Sequence, residues 1–157
     1  MGRVLIPGPG SGHDVRFFAE QGASVTGLDI APSAVEHARR VNPHARATYQ
    51  IGDVLDPAPD LFGAFDWVIE HTCLCALPPR CRTAYARAIP RYLRPGGHYL
   101  AIFYRTPHSL DGPPFGIGAE EIDDLFGEPF VLRQAMVPTM AYPSREGREE
   151  LRLYQKR

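Results

Sequence analysis

Short apolar runs alternate with stretches of helical periodicity along the chain, and this alternation predicts an α/β fold with a mostly parallel sheet. A long segment rich in glycine and proline, residues 105–118, connects the fifth strand to the last helix. The predicted helices are residues 14–21, 32–40, 80–93 and 119–126. The predicted strands are residues 3–6, 24–28, 47–51, 65–69, 98–103, 130–137 and 150–154.

The composition fits a single domain that spans residues 1–157. Apolar residues make up 44% and charged residues 22%, which is typical of a globular chain that buries a core. The formal net charge of −1 argues against binding through phosphate neutralisation, so we expect no nucleic acid partner. No apolar run reaches the roughly 20 residues that cross a bilayer, so we expect no membrane association. The odd number of cysteines, three, favours reduced thiols and a cytoplasmic location.

Glycines crowd the turn between the first strand and the first helix. Gly8, Gly10 and Gly12 permit backbone N–H groups to approach a ligand, and the helix N-terminus that follows favours negative charge. Glycine turns of this kind also serve plain tight packing, so the motif alone leaves both interpretations open.

Carboxylates follow the next two strands, at the edge where open α/β sheets bind ligands. Asp29, which precedes Ile30, is placed to accept hydrogen bonds from both ribose hydroxyls of a nucleoside or, alternatively, to cap the next helix. Asp53 and Val54 follow the third strand, where a carboxylate accepts the exocyclic amine of adenine and a valine packs against its ring. The fourth strand then runs into the same region. These signals together are more specific than any one of them, and they indicate a nucleoside ligand.

The order of these signals resembles the class I S-adenosylmethionine-dependent methyltransferases, and Leu-Arg-Pro-Gly-Gly at residues 93–97 is typical of the same enzymes. The resemblance covers nearly the whole chain. It implies a Rossmann-like, mostly parallel seven-stranded sheet with an antiparallel C-terminal hairpin. The segments that look like the thiopurine S-methyltransferase superfamily, and within it most like the halide/thiol methyltransferases, are residues 4–14, 28–34, 65–77, 111–115 and 144–151.

The resemblance further implies methyl transfer from S-adenosylmethionine to a small soft nucleophile, a thiol or hydrosulfide first and a halide second, without a metal. A thiol with a pKa of about 8.5 needs help to ionise at neutral pH, so His71 is the predicted catalytic base. The alternative is that His71 packs against the cofactor with no proton role. Tyr104, Arg105, His108 and Phe115 are candidate acceptor-binding residues, or else solvated loop residues. The predicted cofactor-binding residues are Gly8, Gly10, Gly12, Asp29, Ile30, Asp53, Val54, Glu70 and His71.

The sequence departs from the resemblance at its beginning. Relatives carry an N-terminal segment with tryptophans that closes over the cofactor, whereas this chain opens almost on its first strand and has its single tryptophan, Trp67, in the fourth. We therefore expect an open cofactor site, with a homodimer as one way to cover it. His71 stands where halide/thiol enzymes commonly have an aromatic hydroxyl, which favours thiol over halide acceptors. The alternatives are an enzyme for another small oxygen, nitrogen or metalloid acceptor, and a cofactor-binding protein without turnover.

Overall fold

A single seven-stranded sheet forms the centre of the computed structural model, which describes residues 2–106 and 111–157. The helices are His13–Glu20 (α1), Pro32–Val41 (α2), Arg82–Tyr92 (α3) and Ala119–Phe126 (α4). The strands are Arg3–Pro7 (β1), Ser24–Asp29 (β2), Ala47–Ile51 (β3), Phe65–His71 (β4), Leu93–Tyr104 (β5), Phe130–Met136 (β6) and Glu149–Lys156 (β7).

The strand order is β3-β2-β1-β4-β5-β7-β6, and the first five strands in this order run parallel. β7 lies antiparallel between β5 and β6. The predicted fold class, including the antiparallel C-terminal pair, is confirmed. The chain reverses its direction of winding between β1 and β4, and in open α/β sheets this switch point is where ligands bind.

Most element boundaries differ from the predicted ones by one or two residues, and the starts of β5 and of the third helix differ for identifiable reasons. β5 begins at Leu93, five residues before the predicted start, because Leu93 pairs with Phe65 of β4. The register of the two strands then shifts between Phe65 and Trp67. The third helix begins at Arg82, since a short 3₁₀ turn, Pro79–Cys81, precedes it. Pro79 has no backbone N–H, but a residue in the first turn of a helix does not need one. The 3₁₀ turn therefore leads into α3 without a break.

The sheet buries a different core on each face. Val4, Ile6 and Ile69 belong to the smaller core, against α1 and α2, while the intervening residues Leu5 and Val68 point to the larger one. The larger core contains a cluster of aromatic rings whose centroids lie 5.4 to 6.5 Å apart. Its members are Tyr99, Phe103, Phe126, Phe130 and Tyr154.

Trp67 stacks on His98 of the neighbouring strand, with ring centroids 4.5 Å apart and planes inclined by 19°. Across residues 2–106 and 111–157, no helix has the length and apolar character that crossing a bilayer requires.

Candidate active site

The glycine turn adopts a backbone that side chains would obstruct. Gly8, Gly10 and Gly12 have φ values of 57°, 53° and 81°, in the left-handed region. A Cβ at Gly12 would lie 2.4 Å from the hydroxyl oxygen of Tyr49, and one at Gly8 would lie 3.0 Å from the Cys73 sulfur. At Gly10, by contrast, the space is open. The turn is therefore packed against the protein at Gly8 and Gly12 and has open space at Gly10. Such a turn, residues 8–12, can act as a cradle for a ligand.

The cradle rests on two buried polar side chains that sequence reasoning missed. The hydroxyl of Tyr49 lies 2.8 Å from the carbonyl oxygen of Asn42 and 3.3 Å from that of Gly12. The side-chain amide of Asn42 donates to the carbonyl oxygen of Ser11 at 2.8 Å. The end of α2 and the middle of β3 thus hold the turn from below. Neither contact has a sequence signature, because both join residues more than 30 positions from the turn.

The predicted adenosine contacts lie at the ends of β2 and β3. Asp29 accepts the N–H of Ala31 at 2.9 Å through Oδ1, which is a local turn contact and not a helix cap, because Ala31 is itself the N-cap residue of α2 and the helix has no side-chain cap. Asp53 lies on the wall of a cavity of about 440 Å³ that Leu28 and Ile51 also line. Val54 is buried beneath this region.

Apolar surface flanks the same cavity, which suits an adenine ring. Ile30 and Ile51 are 66% and 57% exposed at the strand ends, although isoleucine is usually buried. A flat ring placed in this cavity would cover Ile51, which is one of its lining residues. The residues present therefore fit an adenosine group.

Glu70 and His71 are neighbours in sequence but point to opposite faces of the sheet. Glu70 is 1% exposed and accepts the N–H groups of Cys73 and Leu74, at 2.7 and 3.2 Å, through Oε1. Burial raises the pKa of this carboxyl group to about 7, against the lowering effect of those two hydrogen bonds. We expected Glu70 at the mouth of the pocket; it instead lies in the larger core and shapes the loop after β4, where Thr72 has a φ of 72°.

His71 lies on the wall of a second cavity, of about 370 Å³, on the other side of β4. Its Nδ1 atom is 3.1 Å from Oδ2 of Asp14, the second residue of α1. This hydrogen bond, together with the charge of Asp14, raises the pKa of His71, while partial burial lowers it. The other lining residues are Ile102, Pro138, Met140, Ala141, Tyr142, Pro143 and Glu149.

The other predicted acceptor residues lie elsewhere. Tyr104 is 2% exposed, and its ring is covered by the Arg145 guanidinium 5.5 Å away. Arg105 forms an ion pair with Glu150, and the backbone N–H of Phe115 donates to the carbonyl oxygen of Cys75. None of these three residues lines the cavity beside His71. His108 lies outside the described residues.

The three cysteines are free thiols, and the described residues hold no group of three side chains with the composition of a metal site. Cys73 and Cys75 are buried, and burial raises the pKa of Cys75 to about 11 and that of Cys73 further. Both are protonated at neutral pH and act as core residues.

Comparison with known proteins identifies the family. The sequence matches thiopurine S-methyltransferase over residues 1–153. The chain belongs to the thiopurine S-methyltransferase family. This family member is 30% identical over 162 residues to thiocyanate methyltransferase 1 of Brassica oleracea, an alignment that covers 99% of this chain and 70% of that protein. The predicted enzyme class, an S-adenosylmethionine-dependent S-methyltransferase, is confirmed.

Solved structures agree on the fold of this thiopurine S-methyltransferase family member. A methyltransferase of Methanosarcina mazei superimposes with a TM-score of 0.84 at 17% identity, covering 98% of this chain and 92% of that one. The 1,6-didemethyltoxoflavin N1-methyltransferase of Burkholderia thailandensis, solved with S-adenosylhomocysteine, gives a TM-score of 0.77 at 21% identity, covering 98% and 70%. At these identities the likeness concerns the fold alone.

Proposed function

We propose that this chain methylates a small organic thiol or hydrosulfide, and that His71 accepts the proton of the thiol. The observation that carries the proposal is the imidazole of His71 on the wall of the 370 Å³ cavity, hydrogen-bonded to the carboxylate of Asp14. This pair provides a base next to a space large enough for an organic acceptor.

The cofactor residues follow from the strand ends. When bound, S-adenosylmethionine supplies a methyl group on a positively charged sulfonium. Asp29 would accept the ribose hydroxyls, Asp53 would accept the adenine amine, and the backbone of residues 8–12 would border the methionine part of the ligand. The open left-handed turn and the exposed isoleucines support this assignment.

The walls of the cavity beside His71 favour a soft, weakly hydrated acceptor. Pro138, Met140 and Tyr142 contribute apolar surface, which a bound acceptor would remove from water. The proton of the thiol passes to the ring of His71, and the charge of Asp14 stabilises the imidazolium that forms. The neutral ring is the active form, so thiol methylation should rise with pH through the pKa of His71.

Thiol and iodide acceptors together test the role of His71. Iodide carries no proton and needs no base, so His71→Phe should lower thiol methylation by about 10²- to 10⁴-fold and iodide methylation far less. The thiol defect should shrink as the pH approaches the pKa of the thiol. The measurement is the initial rate of S-adenosylhomocysteine formation with each acceptor between pH 6 and pH 9. Equal losses for both acceptors at every pH would contradict the base role and leave His71 as a shaping residue.

A soft anion is the second candidate acceptor, because one of the similar proteins is a thiocyanate methyltransferase. The same assay with thiocyanate separates this candidate from the first. Binding of S-adenosylhomocysteine by calorimetry, without turnover of thiol, iodide or thiocyanate, would instead favour a cofactor-binding protein.

A further inference from the structure

We propose that Asp14 is the positioning residue of the site, because it fixes His71 in the Nδ1–H tautomer and so turns the lone pair of Nε2 toward the acceptor cavity. The catalytic consequence rests on the proposed function, whereas the tautomer is a property of the chain itself. No sequence pattern singles out Asp14, which lies 57 residues from His71.

The geometry of the pair leaves one arrangement of hydrogens. An ionised carboxylate only accepts hydrogen bonds, so the Nδ1 atom that lies 3.1 Å from Oδ2 of Asp14 must be the donor. In a neutral imidazole the other nitrogen then carries the lone pair. The unprotonated nitrogen is then Nε2, in a residue that lines the cavity together with Ile102 and Tyr142.

The surrounding structure holds Asp14 in place. Asp14 lies in the first turn of α1, where the positive end of the helix dipole stabilises a carboxylate. The helix follows Gly12 directly, and Tyr49 and Asn42 brace that turn from below. The same braced turn that borders the cofactor site therefore also sets the position of the carboxylate.

Three carboxylates act on His71, and they come from three elements. Asp14 approaches from α1 and has the largest effect, while Glu149 of β7 and Glu70 of the same strand act through space. Glu149 is paired with Arg145 at 2.9 Å, which offsets part of its charge. Glu70 points to the opposite face of the sheet. Asp14 is the one of the three that contacts the ring and can choose its tautomer.

The test follows His71 by ¹⁵N NMR of the imidazole, assigned with His71→Phe, in the wild type, Asp14→Ala and Asp14→Glu. The wild type should show the Nδ1–H tautomer. Asp14→Ala should lower the pH at which His71 titrates and shift the neutral ring toward Nε2–H, the form that an unrestrained imidazole prefers. Asp14→Glu should restore the wild-type tautomer. Glu20→Ala removes an exposed carboxylate of the same helix and is the matched control, with no effect on His71.

Kinetics and binding complete the test. Asp14→Ala should lower the plateau of thiol methylation by roughly 10- to 10³-fold and move its acid limb to lower pH, with S-adenosylhomocysteine affinity within about twofold of the wild type. An unchanged tautomer in Asp14→Ala would overturn the proposal. A loss of methylation that follows a loss of S-adenosylhomocysteine affinity would also overturn it and make Asp14 a cofactor ligand. Failure of the proposed function is recognised separately, since His71→Phe would then affect iodide and thiol equally while the NMR result still decides the role of Asp14.

Discussion

At the scale of single residues, each carboxylate of the candidate site accepts a hydrogen bond from the protein through one oxygen, and we propose that the ligand uses the other. Asp29 accepts the N–H of Ala31, just before α2, through Oδ1, and the proposal assigns its other oxygen to a ribose. Asp53 accepts the N–H of Leu55 at 2.8 Å and lines the cavity of about 440 Å³ that we propose for adenosine. The local hydrogen bonds fix the carboxylates before any ligand arrives, which lowers the ordering cost of binding.

The two uses of Asp29 are separable by substitution. Asp29→Asn keeps an oxygen for the Ala31 N–H but loses the charge that strengthens hydrogen bonds to two hydroxyls, each of which is worth about 1.5–3 kcal/mol. We expect S-adenosylhomocysteine affinity to fall at least about tenfold in Asp29→Asn and further in Asp29→Ala. Calorimetry measures the affinity, and circular dichroism confirms the fold. If affinity is unchanged in Asp29→Asn, the residue only shapes the turn before α2.

At the scale of elements, the strand ends explain both the successes and the failures of sequence reasoning. Because ligands bind at the carboxyl edge of parallel sheets, Asp29, Asp53 and His71 could be placed at that edge from the sequence. The same alternation of side chains that marks β4 as a strand also places Glu70 and His71 on opposite faces, although the prediction from the motif assigned both to one pocket. The contact between Asp14 and His71 could not be predicted, since it depends on how α1 docks against the end of β4.

The glycine turn and the end of α1 provide a matched pair for testing the cradle. Gly12 and Gly22 have φ values of 81° and 89°, so alanine is strained at both, by about 1 kcal/mol. Only at Gly12 would the new Cβ collide with Tyr49, whereas at Gly22 the space is open. Gly12→Ala should therefore lower the free energy of unfolding by at least about 2 kcal/mol and weaken S-adenosylhomocysteine binding. Gly22→Ala should show the smaller loss and normal binding in urea titration and calorimetry; equal effects would mean that backbone strain alone governs the turn.

At the scale of the whole molecule, the sheet separates two environments. Its larger core holds the aromatic cluster and the buried Glu70, together with the hydroxyls of Tyr85 and Tyr99. Within the described residues, Oε2 of Glu70 lacks a hydrogen-bond partner. A charge on Glu70 is therefore unfavourable to the fold as a whole.

This burial predicts a loss of stability as the pH rises. The pKa of Glu70 is about 7 in the folded state, against 4.5 as its ordinary value. The fold is therefore fully stabilised below pH 4.5, and it loses this contribution as the pH rises through 7. Between pH 5 and pH 8 the wild type should lose about 2–3 kcal/mol relative to Glu70→Gln, which stays neutral.

Urea unfolding followed by circular dichroism at both pH values gives the comparison. Glu36→Gln, an exposed neutralisation on α2, is the control and should keep the wild-type pH dependence. A parallel pH dependence in the wild type and Glu70→Gln would show that Glu70 is ionised at little cost in the fold.

The stacked pair of Trp67 and His98 gives the molecule a built-in optical reporter. Trp67 is the single tryptophan of the sequence, so its emission comes from one place on β4, four residues before His71 on the same face of the sheet. Imidazole in contact with indole quenches its fluorescence, most strongly when the imidazole is charged. Emission should therefore be weak in the folded protein and should brighten when β4 and β5 separate. A change in emission on addition of S-adenosylhomocysteine would report, without any label, that the strand carrying His71 responds to the ligand.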